Sequence, residues 1–207
     1  MPKILHQVWI QGKDNLPKAY VSNRDMWRSV LPADWEMILW DNATAAARWP
    51  GYAAIQRLCS SHAMRADLIL ARALRDIGGL ITDTDCRPVN PKGMLSFIDN
   101  NPTMIVLQAR YELVSCGLAW SANPRHGFFV ALCAHQLRKR KLLSSRDVVT
   151  ITGPRAWWAA LRARHWDLCL VTSRRAYVRQ YNEHKVVNPN AWVNPGYAAS
   201  WLKRVAK

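Results

Sequence analysis

The spacing of apolar and polar positions assigns most of the chain's elements. Lys3–Ile10 (KILHQVWI) is rich in β-forming residues and stops before Gly12, so it predicts a first strand. Asn23–Val30 predicts a helix, broken by Leu31-Pro32. Trp35–Trp40 (WEMILW) predicts a second strand that closes on Asp41-Asn42, a turn or cap pair. Trp49-Pro50-Gly51 marks another break. The clearest helix follows Ser60-Ser61. In it Met64, Leu68, Ala71 and Leu74 recur at helical spacing as far as Ile77, and Gly78-Gly79 provides the stop.

Leu80-Ile81-Thr82 then reads as a short buried strand with Asp83-Thr84-Asp85 at its end. Met104–Gln108, Gly117–Trp120 and Asp167–Thr172 are further strand candidates. Phe128–Leu137 and the segment from Thr152-Gly153-Pro154 to Arg164 read as helices. Strands alternating with helices predict an α/β fold with a largely parallel central sheet. No linker divides residues 1–207, so one domain is expected.

Composition adds little to this picture, but charge changes it. Half of the 207 residues are apolar and 21% are charged, which excludes a disordered or collagen-like chain. The net charge is +15 and the sequence pI about 10.2. Residues 1–103 hold 12 basic and 10 acidic side chains, a net of +2, whereas residues 104–207 hold 17 and 4, a net of +13. One-sided charge points to an anionic partner for the second half, with a solvated surface as the alternative.

The first ten residues show no apolar signal-peptide region, and no run approaches the roughly 18 apolar residues of a membrane span. Five cysteines form an odd set without a C-x-x-C pair, which suits a reducing compartment. These features predict a cytoplasmic protein with no stable membrane insertion. P-loop, G-x-G-x-x-G, H-E-x-x-H and G-x-S-x-G motifs are absent.

Asp83 and Asp85 are the first candidate chemistry. In an extended segment, residues i and i+2 face the same side, so the two carboxylates are expected to converge on one ion. Paired hard oxygens suit Mg²⁺ or Mn²⁺, and the carboxyl end of a strand is where open α/β sheets place ligands. An isolated D-x-D is a weak motif, since acidic turns are common. Here it follows a buried apolar strand.

Around that motif, Arg65-Ala66-Asp67-Leu68 through Ile77-Gly78-Gly79-Leu80-Ile81-Thr82-Asp83-Thr84-Asp85 resembles the D-x-D region of family 32 glycosyltransferases. These sugar-nucleotide-dependent enzymes have the GT-A fold and are related to the glucosyltransferase domains of clostridial toxins. The opening Pro2–Ile10 is similar to the family's first segment. Pro32, Trp35 and Trp40-Asp41 match its P-x-x-W and W-D elements, and Gly117–Phe129, Thr152-Gly153-Pro154 and Ser200-Trp201 are weaker echoes. The stronger matches cover residues 2–88.

The resemblance implies a Rossmann-like GT-A sheet flanked by helices and a retaining hexosyltransferase activity. Asp83 and Asp85 would hold Mn²⁺ or Mg²⁺ and the donor diphosphate, with His184 as a further metal ligand. Val8, Trp9 and Ile10 would meet the nucleobase, with Trp9 stacking on it. Asp67 and Arg65 would bind the donor sugar, and Thr84, Ser200 and Trp201 would border the diphosphate. Where the family usually carries an arginine three residues after Asp67, this chain has Leu70, so Arg65 or Arg72 is the expected substitute. UDP is the expected donor nucleotide, with GDP as the alternative.

By the same resemblance, residues 1–103 hold the donor and the basic half faces the acceptor. Arg138, Lys139, Arg140, Lys141, Arg174 and Arg175 are the expected acceptor-binding residues. Trp157, Trp158, Trp166 and Tyr177 lie between such cations, as on surfaces that stack bases. The preferred acceptor is DNA carrying a hydroxymethylated pyrimidine, as in bacteriophages. A lipopolysaccharide-type precursor is the alternative, and a non-catalytic nucleic-acid-binding protein the second alternative.

Overall fold

The computed structural model describes residues 1–108, 113–139, 147–176 and 191–194. In chain order the elements are β1 (Ile4–Val8), α1 (Lys18–Val30), β2 (Glu36–Trp40), α2 (Asn42–Arg48), α3 (Tyr52–Leu58), α4 (His62–Asp76), β3 (Gly79–Thr82), β4 (Arg87–Pro88), α5 (Pro91–Asp99), β5 (Thr103–Gln108), β6 (Leu113–Ser121), α6 (Gly127–Arg138), α7 (Val148–Ile151), α8 (Pro154–Arg162), β7 (Cys169–Thr172), α9 (Ser173–Ala176) and β8 (Val193–Asn194). A 3-10 turn, Lys13–Asn15, lies between β1 and α1.

Six strands form the central sheet in the order β2-β1-β3-β6-β5-β7, while β4 and β8 pair separately. Within that sheet β2, β1, β3, β5 and β7 run one way and β6 runs against both neighbours. The largely parallel expectation is met apart from β6. Four residues separate β5 from β6, far too few for the crossover that a parallel pair requires.

Alternation along each strand feeds a core on either face of the sheet. Leu80 joins one core with Leu5, Trp27, Met94 and Trp120, while Ile81 joins the other with Ile69, Leu74, Phe128 and Trp157. Helix α4 begins as expected, with the Ser61 side chain accepting the Met64 N–H, and buries seven residues from Met64 to Leu74.

Five helices go beyond the expected set, among them the single turns α7 and α9. Helices α2 and α3 flank the break at Trp49-Pro50-Gly51, and α5 starts at Pro91 with Asn90 as its cap. Proline in the first turn after a capping asparagine is a readable helix start.

His6 is buried in β1. Its Nε2 lies 2.7 Å from the Gly78 carbonyl, and its Nδ1 accepts the Trp40 indole N–H. Burial lowers its pKa to about 4, so it is a neutral cross-link between strands rather than an acid or base. Gly79 (φ +97°) makes room for it, because a Cβ there would lie 2.9 Å from its Nε2 and 2.6 Å from the Ile4 carbonyl.

Candidate active site

Strand β1 has β2 on one side and β3 on the other, so the direction of winding reverses between β1 and β3. The crevice beyond the carboxyl ends of such strands is the usual ligand site of open α/β sheets. Asp83-Thr84-Asp85 leaves β3 there.

The segment is a turn and not an extended strand: the Cys86 N–H donates to the Asp83 carbonyl at 3.1 Å, and the Asp83 N–H to the Gly117 carbonyl at 3.1 Å. This corrects the expected cause of convergence. The carboxylates meet because the chain folds back on itself, since a strand end continuing straight would pair them only by its pleat. Ligand atoms of Asp83, Asp85 and Cys86 all lie within 4.8 Å of one another. Cys86 is a poor partner for a hard cation, because burial first, then the Asp83 and Asp85 charges, raises its pKa well above that of a free thiol. The two carboxylates are therefore the better ligand set.

Solvent reaches Asp83, yet the protein packed around it strips hydration from its carboxylate. That loss of hydration, with the nearby charges of Asp85 and Asp67, raises its pKa to about 7. Asp67, on α4, is raised to about 7 by burial, against the hydrogen bonds of Thr152 and Cys116, which lower it. The Thr152 hydroxyl donates to Asp67 Oδ2 at 2.9 Å. Neither Arg65 nor Arg72, the two expected substitutes for the missing arginine, forms an ion pair with Asp67: Arg72 meets Asp76 at 3.5 Å instead. Crowded carboxylates of this kind suit a divalent cation, which would relieve their mutual repulsion.

An irregularity in β6 shapes the wall opposite. Its pairing with β5 slips between Ile105–Ala119 and Val106–Ser115, so Cys116 and Gly117 fall at the slip. Cys116 reaches Asp67, and Gly117 lies so close to Asp83 that a Cβ would stand 2.3 Å from Oδ2. Helix α1 closes the other side with a stripe at helical spacing. Tyr20 packs edge-on against Trp9 at 5.5 Å, and Asn23 Nδ2 donates to the Thr84 and Asp85 carbonyls at 3.3 and 3.0 Å. Arg24 Nη1 donates to Gln7 Oε1 at 2.7 Å, Gln7 Nε2 to Thr82 Oγ1 and the Asp83 carbonyl, and Trp27 Nε1 to the Cys86 carbonyl.

The expected nucleobase residues lie at the same crevice edge. Trp9 is half-buried after β1, with its indole N–H on the Asn15 carbonyl, and Val8 and Ile10 are buried in the core on the α4 side. Arg65 turns toward the α3–α4 connection, where Nη2 donates to the Cys59 carbonyl at 3.4 Å. Leu70 is core. His184, Arg140, Lys141, Ser200, Trp201 and Tyr177 lie outside the described residues, as does the side chain of Arg174.

On the basic half, Arg138 is exposed, while Lys139 Nζ donates to the Thr150 carbonyl. Arg175 lies over the rings of Phe97 and Trp192. The stacking-surface expectation is corrected for two tryptophans. Trp157 is fully buried, and Trp166 packs on Phe128 with its N–H on the Ala160 and Leu161 carbonyls. Trp158 packs against the same core.

Gln7, Tyr20, Asn23, Arg24, Cys116, Gly117 and the role of Thr152 were not legible as site features. The stripe at 20, 23, 24 and 27 was the available signal for α1. Nothing in the sequence marks the slip in β6.

No family model matches the sequence, and comparison with curated proteins finds no match. The fold is similar to a solved structure of PaToxG glycosyltransferase, with a TM-score of 0.58, 13% identity, and coverage of 77% of this chain and 68% of that one. The chain shares the fold of that structure. It has the GT-A arrangement of a mixed six-stranded sheet between helices, with the acidic turn at the crevice end of β3. No helix among the described residues is long and apolar enough to cross a membrane.

Proposed function

We propose that this chain is a metal-dependent, retaining glycosyltransferase of the family 32 type, moving a sugar from a nucleoside-diphosphate sugar to an anionic acceptor. The observation that carries the reading is the pair of carboxylates, Asp83 and Asp85, gathered by a turn where the sheet reverses its winding. The glycosyltransferase fold supports it.

In this reading Asp83 and Asp85 hold Mn²⁺ or Mg²⁺, which when bound offsets the charge that gathers on the departing diphosphate. Asn23 and Gln7 hold the turn by its carbonyls, so both carboxylates are preorganised. Asp67, fixed by Thr152, accepts hydrogen bonds from donor-sugar hydroxyls, and Trp9 with Tyr20 borders the nucleobase, UDP before GDP. Attack by the acceptor from the face that the diphosphate leaves retains configuration and needs positioning rather than a protein nucleophile.

Exposed cations such as Arg138 and the +13 of residues 104–207 favour an acceptor rich in phosphate. With Trp157 and Trp166 packed away, charge and not stacking supports this choice. DNA with hydroxymethylated pyrimidines stands first among such acceptors and a phosphorylated lipopolysaccharide precursor second.

The test is incubation with Mn²⁺ and a panel of UDP- and GDP-sugars, following release of UDP or GDP. Mass spectrometry then follows sugar transfer to hydroxymethylated DNA, plain DNA and lipopolysaccharide core. Turnover of one sugar nucleotide, lost in Asp85→Asn, is expected. Failure of every sugar nucleotide to bind with metal overturns the reading.

A further inference from the structure

Helix α6 has an unusual surface for a helix that meets water. Its sequence, GFFVALCAHQLR, is apolar around the whole circumference apart from His135, Gln136 and the closing Arg138. Such a helix is normally enclosed on every side. One side of α6 is enclosed, with Phe128, Phe129 and Leu132 buried in the core. On the other side Val130, Ala131, Ala134, Leu137 and Arg138 follow one another at helical spacing, and none of them is buried. Val130 is 43% exposed and Leu137 40%.

A related stripe lies on α3. Ile55 of α3 and Leu137 of α6 line one crevice, so the two helices are neighbours. The exposed positions of α3 are Ala53, Ala54, Arg57 and Leu58, again small and aliphatic side chains with a single cation in the last turn, and Leu58 is 47% exposed. Residues 42–66, which contain α3, and residues 113–146, which contain α6, hold no Asp or Glu. On α4, which lines the same crevice, Asp76 is held by Arg75 and Arg72. The two helices therefore present aliphatic carbon and positive charge, with no carboxylate of their own to answer the cations. Contiguous apolar surface of this kind marks a docking site for a protein or a membrane.

An occupant must match both parts of that chemistry. A second copy of the same face would set cation against cation. Duplex DNA would meet Arg57 and Arg138 but leave the aliphatic side chains against hydrated sugar and phosphate. An anionic bilayer supplies lipid phosphates for the guanidinium groups and, just beneath them, an acyl boundary for the aliphatic side chains. We propose that the outward faces of α6 and α3 dock on an anionic lipid surface. Val130, Leu137 and Leu58 enter the acyl boundary, while Arg57 and Arg138 meet headgroup phosphates. The contact is peripheral, since no described helix is long and apolar enough to span. Docking stands apart from the sugar-transfer reading and bears on it only in the choice of acceptor, where it favours the lipid-borne one.

Sedimentation of the full chain with vesicles tests the docking, using phosphatidylcholine alone and phosphatidylcholine with phosphatidylglycerol at roughly two to one. The mixed vesicles are expected to bind at least about tenfold more tightly. Val130→Asp with Leu137→Asp is expected to weaken that binding by about tenfold or more. Val21→Asp with Met26→Asp changes the net charge equally on α1, where both side chains are also exposed, and is expected to weaken it less than about threefold. Circular dichroism checks each fold. If the α6 double variant unfolds, Val130→Ser with Leu137→Ser keeps the charge and is expected to weaken binding about fivefold. Equal binding to both vesicles, no binding to the mixed ones, or equal losses on α6 and α1 overturns the proposal, the last by revealing a general field in place of a docking face. A dimer by light scattering that the α6 substitutions split overturns it too, because a second copy then covers the face.

Discussion

The two halves of the chain use charge in opposite ways. In residues 1–103 the charges nearly cancel, yet three carboxylates, Asp67, Asp83 and Asp85, are drawn together where they repel one another. Residues 104–207 carry an excess of +13, yet their described aromatic side chains, Trp157 and Trp166 among them, are packed inward and cations such as Arg138 stand in solvent. A small net charge can thus hide the most strained electrostatics of a molecule, while a large one is dilute. Concentrated like charge in a crevice signals a specific counter-ion, whereas dispersed charge signals a long-range field.

The sharpest way to break this comparison is Asp85→Asn. It is expected to lower Mn²⁺-dependent turnover of the sugar nucleotide by on the order of a thousandfold, read as nucleotide release, while the fold persists by circular dichroism. Next comes Trp157→Ala. A core tryptophan lost from the α6–α8 packing is expected to destabilise the protein by roughly 3–5 kcal/mol in urea unfolding. Loss of DNA affinity with unchanged stability would instead restore it as a stacking surface.

Gly117→Ala follows. The added Cβ collides with Asp83, so Mn²⁺ affinity by electron paramagnetic resonance is expected to fall about tenfold, a loss of roughly 1.4 kcal/mol.

The crowding of the acids also has a pH signature. The folded pKa of Asp67, about 7, lies above its ordinary 3.8, so its stabilising contribution is complete below pH 3.8 and is lost as pH rises through 7. Asp67→Asn is therefore expected to match the wild type near pH 4 and exceed it at pH 8 by on the order of 1 kcal/mol, with Mn²⁺ narrowing the difference. Urea unfolding at both pH values checks this, and an equal difference at both sinks it. The smallest effect belongs to Arg138→Ala, expected to reduce the salt slope of DNA binding by about 0.9 with little change in stability.

Much of the sheet was legible because strands and α4 carry their own periodicity. Ser60-Ser61 and Gly78-Gly79 bracket α4 in sequence as they do in space. Helices α2 and α3 were missed because each is only seven residues long, too short for an apolar period to stand out from the composition. The acidic pair was also legible, but the reason for its convergence was not: hydrogen bonds from Cys86 to Asp83 and from Asp83 to Gly117 make the turn, and the second joins residues 34 positions apart. Likewise, spacing could set tryptophans beside arginines but could not say which way a helix would face.

The sequence by itself determined the alternation of elements, the acidic motif at a strand end and the lopsided charge, since each is written in local spacing and composition. Tertiary structure alone decided that Asp67 would stand near Asp83, that Gly117 would leave room for a carboxylate and that Thr152 would hold Asp67. Those relations join distant segments through the pairing of β3 with β6 and the packing of α4 on α8's preceding turn. Their energy comes from burial and long-range hydrogen bonds, which exist only once the sheet has closed.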